Sequence, residues 1–150
     1  MKMKLLLLTV ALVAATAFSA PSVLRKSGDC KLQVGSDSFD DSKSVKVELA
    51  NADVEVTGNF RGGDIFDKFY VFAHPTIKNK SGRKLSITYQ AAFFDRNGEL
   101  ITGVAESGDV DAGEIETQFG SAMSKLPQTE FSKITSYKVV VYVEAAKGKK

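Results

Sequence analysis

Apolar and polar residues alternate along much of the chain after residue 30, with the period of two that half-buried β-strands show. Two short alternating runs, 45–49 and 54–56, are joined by Ala50 and Asn51 and predict a β-hairpin. The segment 58–64 that follows is rich in glycine and polar residues and predicts a loop. No stretch shows a long helical period, which favours an all-β domain.

The strongest strand signals lie in the middle of the chain. Residues 69–73 have apolar side chains on both faces, which predicts a strand near a sheet centre, interrupted at Pro75. A second strand follows, whose core face comprises Leu85, Ile87, Tyr89, Ala91 and Phe93. Turns are predicted on either side of it, at 79–82 and 95–98. The second is a tight hairpin turn, because its Asn-Gly pair supplies the positive φ values that such a turn requires. The next strand is expected to start at 99–101.

The last third of the chain predicts a polar turn at 109–114, a strand from Ile115, and a short helical turn at 128–133 that Pro127 opens. A final strand covers 137–143. We thus expect a domain over residues 30–145 and a frayed basic tail over 146–150. About seven to nine short strands, with turns roughly every ten residues, indicate an immunoglobulin-like Greek-key β-sandwich. A closed up-and-down barrel has the same patterning and stays open as the alternative.

The first 19 residues have the features of a secretory signal peptide. A basic start leads into the apolar run 5–18, and small residues near its end suit cleavage after Ala17 or Ser19. A membrane span needs about 20 apolar residues, and no second run of that length follows. We therefore expect an exported protein, periplasmic or extracellular, with no membrane span in its mature chain.

Composition narrows the class of protein further. Of the 150 residues, 43% are hydrophobic and 25% are charged, the balance of one ordinary globular domain. The chain has 20 basic and 18 acidic residues, and removing Lys2 and Lys4 with the signal leaves 18 of each. A nucleic-acid-binding protein needs a basic excess on one face. We therefore expect no nucleic-acid partner.

The segment 75–101 resembles the FxLYD-type domains of exported bacterial proteins. It reads PTIKNKSGRKLSITYQAAFFDRNGELI: an Asn-rich turn, an alternating strand, an aromatic residue followed by Asp, a glycine turn and a further strand. The segments 111–114 and 136–142 are similar to the later glycine turn and C-terminal strand of that pattern. The resemblance covers about residues 68–143 and implies an immunoglobulin-like sandwich. It carries no catalytic residue, because each matched residue has a structural role.

Few side chains suit catalysis or transition-metal binding. Cys30 is the only cysteine and His74 the only histidine, and they are distant in sequence. Neither a nucleophile with its base nor a histidine-based metal site is therefore indicated. We expect Cys30 to be a structural thiol at the start of the first strand, and His74 a framework residue at a strand irregularity. The glycine-rich run 61–64 lacks the Lys-Ser/Thr of a phosphate-binding loop.

Acidic residues cluster in two turns, where calcium is the candidate ligand. The clusters are Asp37, Asp40 and Asp41, and Asp109, Asp111 and Glu114. Neither fits the EF-hand pattern, so we assign no metal, cofactor or catalytic residue. Charge is also segregated, with a basic segment at 68–84 and an acidic one at 95–116, which indicates either solvated loops or a surface that orients a partner. Residues 79–81 match an N-glycosylation sequon.

These features favour an exported, non-enzymatic β-sandwich that acts as a binding or accessory module in the cell envelope. Its partner would be an unidentified protein or envelope component. Two alternatives stay open: a small exported hydrolase that uses carboxylates of the acidic turns, and a calcium-stabilised surface or adhesion domain.

Overall fold

The computed structural model describes residues 21–32, 34–35, 45–51, 53–65, 68–117, 119–120 and 122–147. Within them the chain forms two sheets around one apolar core, so the predicted all-β sandwich is confirmed. The two sheets are hydrogen-bonded separately, and the closed-barrel alternative is therefore wrong. The elements are β1 (Ser22–Asp29), β2 (Val34–Gly35), β3 (Val45–Ala50), β4 (Val54–Ile65), β5 (Lys68–Ala73), β6 (Thr76–Asn79), β7 (Leu85–Phe94), β8 (Leu100–Val110), β9 (Ile115–Glu116), β10 (Ala122–Leu126), α1 (Gln128–Phe131) and β11 (Ser136–Ala145).

The first sheet, sheet A, has the strand order β1-β11-β7-β8, and all its neighbours are antiparallel. Alternate residues of β7 and β11 turn into the core and are buried. This burial follows the apolar alternation of the sequence, so the strands predicted at 85–94 and 137–143 are confirmed. The opposite face of sheet A is turned away from the core.

The second sheet, sheet B, is built around β4. The first half of β4 pairs with β3 and β6, and its second half pairs with β5 and, in parallel, with β2. β5 and β6 are separated at His74 and Pro75, as predicted, and β10 and β9 pair with them. The predicted hairpin is also confirmed, with Ala50 of β3 opposite Glu55 of β4.

The glycine-rich segment 58–64 belongs to strand β4, which corrects the loop predicted there. Phe60 in its middle is fully buried and pairs with Ala73 of β5. Gly58 lies beneath a ring of the other sheet, because a Cβ added to it would be 2.6 Å from Oη of Tyr89. This glycine therefore permits a close approach between the sheets and does not make a turn.

Other boundaries also differ from the sequence prediction. β1 pairs with β11, so the sandwich begins at Ser22 and not at residue 30. β8 continues through residue 109 to Val110, which is fully buried opposite Leu85. The strand expected from Ile115 is β9, which is only two residues long, and a separate strand, β10, follows it and pairs with β5. Because such short strands are counted, the described residues contain eleven strands, above the seven to nine predicted.

The signal peptide predicted over 1–19 lies outside the described residues, as do residues 148–150 of the predicted tail. The N–H of Ala146 donates to the carbonyl oxygen of Lys84 at 3.1 Å, directly after β11 ends. In the part of the chain that the structure describes, no helix is long and apolar enough to cross a membrane.

Three aromatic rings join the two sheets. Phe93 and Tyr137 are opposite each other in sheet A, and Phe60 reaches both from sheet B. The ring centroid of Phe60 lies 5.1 Å from that of Phe93, in an edge-to-face arrangement at 84°, and 5.2 Å from that of Tyr137. Such pairs add about 0.5–1.5 kcal/mol beyond the burial of their area, so this cluster is a main attachment between the sheets.

Replacing Tyr89 with phenylalanine is expected to leave the stability unchanged or to raise it. Tyr89 is fully buried, its Oη has no hydrogen-bond partner among the described residues, and burial raises the pKa of Tyr89 above its ordinary value. An unpartnered buried hydroxyl costs about 1–3 kcal/mol, which Tyr89→Phe removes while keeping the ring. Urea unfolding measures the change. A loss of stability would show that the hydroxyl has a partner.

Candidate functional site

The outward residues of sheet A form a continuous surface, which we name the A face. The strand register arranges its residues in four rows across β1, β11, β7 and β8. The rows are Val23, Tyr142, Thr88 and Ser107; Arg25, Val140, Gln90 and Ala105; Ser27, Lys138, Ala92 and Gly103; and Asp29, Ser136, Phe94 and Leu100. Beyond the first row, Glu144, Ser86 and Asp109 continue the A face on β11, β7 and β8.

A groove of about 440 Å³ lies in the centre of the A face. Its floor carries the small residues Ala92, Gly103 and Ala105, where β7 and β8 lie side by side. The larger side chains of Phe94 and Val140 also line the groove. Small outward residues between large ones leave a shallow depression, and this contrast in size creates the groove.

Two cations lie beside this apolar floor. Lys138 lines the groove, with its Nζ 4.9 Å from the ring centroid of Phe94. Arg25 lines a second depression, of about 330 Å³, which shares Lys138 and Val140 with the first. Within the described ranges neither Arg25 nor Lys138 forms a salt bridge. The A face therefore offers positive charge to an anionic or aromatic group.

Exposed apolar side chains lie on the same surface. Tyr142 is 40% exposed, and Leu100, opposite Phe94, is 65% exposed. Tyr142 and Leu100 lie at opposite ends of the A face, and sheet B carries two comparably exposed apolar residues, Ile115 and Met123, so exposed apolar side chains alone do not distinguish the A face. The A face thus combines a groove with two cations, Arg25 and Lys138, that form no salt bridge among the described residues.

The acidic cluster at Asp109, Asp111 and Glu114 is engaged by neighbouring groups. Nζ of Lys84 lies 3.8 Å from Oδ2 of Asp109 and 3.2 Å from Oδ1 of Asp111. The hydrogen bond to Asp111 raises the pKa of Lys84. Oε2 of Glu114 accepts the N–H of Asp111 at 2.8 Å. The basic segment therefore meets the acidic one, and each neutralises part of the other.

Calcium is expected to leave the melting temperature unchanged. No group of three or more His, Cys, Asp or Glu side chains is placed to hold a metal ion among the described residues. The other predicted cluster, at Asp37, Asp40 and Asp41, lies outside the described residues. Melting curves of the mature protein in calcium and in excess chelator check this. A rise with calcium that Asp111→Asn abolishes would contradict it, because a ligand at about 100 times its Kd stabilises the native state by about 2.7 kcal/mol.

His74 and the glycine-rich run 61–64 have framework positions. His74 lies between β5 and β6, where its N–H donates to the carbonyl oxygen of Asn59 at 3.1 Å. Its ring stacks on Phe72, with centroids 6.0 Å apart and planes 13° apart. The run 61–64 pairs with β5 as part of β4. The structure brings neither His74 nor this run to the A face.

The thiol of Cys30 is expected to react slowly in the native state. Cys30 follows β1 instead of starting the first strand, is 7% exposed, and donates its N–H to the carbonyl oxygen of Thr135. Burial, with a smaller effect of Asp29, raises its pKa to about 11. At about pH 8 only about a thousandth of the thiol is then ionised. Labelling with Ellman's reagent should therefore be slow until denaturant is added, and rapid labelling of the native protein would contradict the buried position.

Asn79, the first residue of the sequon, is a buried structural side chain. It is 1% exposed. Its Nδ2 lies within hydrogen-bond distance of three carbonyl oxygens, those of Arg83 (2.8 Å), Val110 (3.1 Å) and Asp111 (2.9 Å). Its Oδ1 accepts the N–H and the hydroxyl of Ser81. In the folded chain this amide is not available to a glycosylating enzyme.

No family model matches the chain, and no curated protein matches it. Several solved structures are similar to parts of it, among them the following three. A DUF1425 family member from Shewanella sp. pv-4 is 16% identical, over 75% of this chain and 99% of that one, with a TM-score of 0.37. A chain in the structure of infectious bursal disease virus Gx strain is 14% identical, over 87% of this chain and 29% of that one, with a TM-score of 0.37. The Avr2 effector of Fusarium oxysporum is 9% identical, over 88% and 95%, with a TM-score of 0.31. The FxLYD resemblance stays a prediction.

Proposed function

We propose that the chain is an exported, non-enzymatic binding or accessory module of the cell envelope, and that it binds its partner through the A face. The observation that carries the proposal is the groove over Ala92, Gly103 and Ala105 beside the Lys138 ammonium, which lies against Phe94 and has no salt bridge among the described residues. In this proposal the rest of the sandwich is a scaffold that presents four strands of rigid, outward side chains.

The partners of the other candidate residues support a role without catalysis. The thiol of Cys30 is buried with a raised pKa, and His74 stacks on a phenylalanine. Asp109 and Asp111 pair with Lys84. A hydrolase or calcium site built on Asp109 and Asp111 would have to release these carboxylates from Lys84.

In-cell photocrosslinking in the native host tests binding. A benzophenone amino acid replaces Ala105, in the groove, and in a matched control replaces Lys125, an exposed residue of β10 in sheet B. We expect a defined crosslinked species from position 105 and none from position 125. No adduct at 105, or equal adducts at both positions, would overturn the proposal.

Export is tested on the same expressed protein. We expect the intact mass of the cell-envelope fraction to match a chain that begins at Phe18 or Ala20. An arginine in place of Leu7, within the apolar run, should keep the protein in the cytoplasm at full length. Recovery of wild-type protein in the cytoplasm with Met1 to Ala17 retained would overturn the export part of the proposal.

A further inference from the structure

We infer that the partner of the A face is a second copy of this chain, packed face to face as a twofold dimer. The inference rests on the proposed function, because it names the occupant of the same surface. It follows from the order of outward side chains on β11, which forms the middle of the A face. These side chains are Ser136, Lys138, Val140, Tyr142 and Glu144.

The spacing on β11 is self-complementary about Val140. Tyr142 and Lys138 each lie two residues from Val140, on opposite sides, about 7 Å away along the strand. A twofold axis that lies between the two faces, parallel to the sheets and perpendicular to the strands, and that passes over Val140 makes the two β11 strands antiparallel. Tyr142 of one copy then lies over Lys138 of the other, as an isologous interface requires.

The shapes at this position also fit each other. Tyr142 is an outward residue that is 40% exposed, and Lys138 borders the groove over Ala92 and Gly103. A tyrosine ring over an ammonium group makes a cation–π contact. Lys138 already lies against the ring of Phe94, so a second ring would enclose its charge between two aromatic faces.

Charge favours the same orientation. Glu144 lies two residues beyond Tyr142, and the antiparallel arrangement places it within reach of the long side chain of Lys138 in the other copy. Within the part of the chain that the structure describes, neither Glu144 nor Lys138 has a salt-bridge partner. Opposite charges at these two positions therefore attract across the axis, whereas a parallel arrangement of the β11 strands would place Lys138 over Lys138 and Glu144 over Glu144. The same axis places Arg25, in the row of Val140, opposite Arg25 of the other copy, but β1 is the edge strand, so this like-charged pair lies at the rim, where salt and water screen it.

The size of the surface suits a reversible dimer. Four strands about 4.8 Å apart, each about ten residues long at about 3.3 Å per residue, give a face of roughly 600 Å². Two such faces bury about 1,200 Å², the lower end of the range for specific interfaces. We therefore expect monomers and dimers to exchange with concentration.

Sedimentation of the purified mature protein, from about 5 to about 500 μM, tests the dimer. The mass should rise from one copy towards two, and Tyr142→Ser should raise the dimer Kd at least about tenfold. The matched control is Met123→Ser on sheet B, also an exposed apolar residue, at 61% exposure, which should leave Kd unchanged. Lys138→Glu and Glu144→Lys should each weaken the dimer, and the double variant should bind more tightly than Lys138→Glu alone, because the ion pair is restored with its signs reversed while the cation–π contact of Lys138 stays lost.

A monomer at every concentration, or a dimer that Tyr142→Ser does not weaken, would overturn the inference. The mass of the photocrosslinked species from position 105 shows whether the inference alone fails or the proposed function fails with it. Twice the mass of the chain supports both, and another mass supports the proposed function but overturns the second copy. No species at all overturns both.

Discussion

Replacing Phe93 with alanine is expected to lower the free energy of unfolding by about 3–5 kcal/mol. Phe93 is fully buried and meets Phe60 of the opposite sheet edge to face. Alanine loses the transfer energy of the ring and leaves a cavity between two sheets whose backbones cannot close it. Urea unfolding followed by circular dichroism measures the loss.

Phe94→Ala is the matched control for this change. Phe94 follows Phe93 in the same strand but points outward and is only half-buried. We expect its replacement to cost well under half as much, since no cavity forms within the core. Equal losses at the two positions, or a Phe93→Ala protein as stable as wild type, would show that the inward face of β7 is wrongly assigned.

Asn79→Ala is expected to destabilise the protein by about 3 kcal/mol or more, because each buried group left without its hydrogen bond costs about 1–3 kcal/mol. The amide joins the connection between β6 and β7 to the end of β8, and it contacts three carbonyl oxygens and Ser81. Alanine leaves these oxygens without the amide donor. Thermal and urea unfolding measure the effect.

Two variants separate the amide's hydrogen bonds from the size of its side chain. Asn79→Asp has nearly the same shape but presents an acceptor to the three carbonyl oxygens, so we expect it to be at least as damaging as alanine. Asn97→Ala removes an exposed amide from the hairpin turn and should change stability by only about 0.5 kcal/mol. Wild-type stability in Asn79→Asp would contradict the hydrogen-bonding role.

The sequence predicted the strands whose alternation coincides with burial. In β7 and β11 every second residue is apolar and faces the core, so the pattern carries both the strand and its orientation. The Asn-Gly pair likewise predicted the turn at 95–98. The N–H of Gly98 donates to the carbonyl of Asp95, and Gly98 has the positive φ, 81°, that glycine tolerates.

Errors arose where tertiary contacts override local propensity. In the segment 58–64 the glycines locally favour a turn. In the fold, Gly58 leaves room for the ring of Tyr89 from the other sheet, and Phe60 is fully buried in the core. β1 lacks apolar alternation and is a strand because β11 supplies its hydrogen bonds. Neither fact is local in sequence, so neither was predictable from the chain alone.

The A face was missed for a related reason. Ala92 on β7 and Gly103 and Ala105 on β8 are unremarkable small residues in the sequence, and only the register between the strands makes them a groove. Lys138 reaches them from β11, far along the chain. The charge pattern of the sequence indicates the segments 68–84 and 95–116 as a candidate partner surface, but in the fold Lys84 of the first segment pairs with Asp109 and Asp111 of the second.

Nuclear magnetic resonance of the labelled mature protein at increasing dilution tests most directly whether a second copy binds the A face. We expect the amide shifts that change with concentration to map to outward residues of β11, β7 and β8, around Val140, Ala92 and Ala105, and Tyr142→Ser to suppress them. Spectra that do not change on dilution, or changes that map to the strands of sheet B, would contradict it.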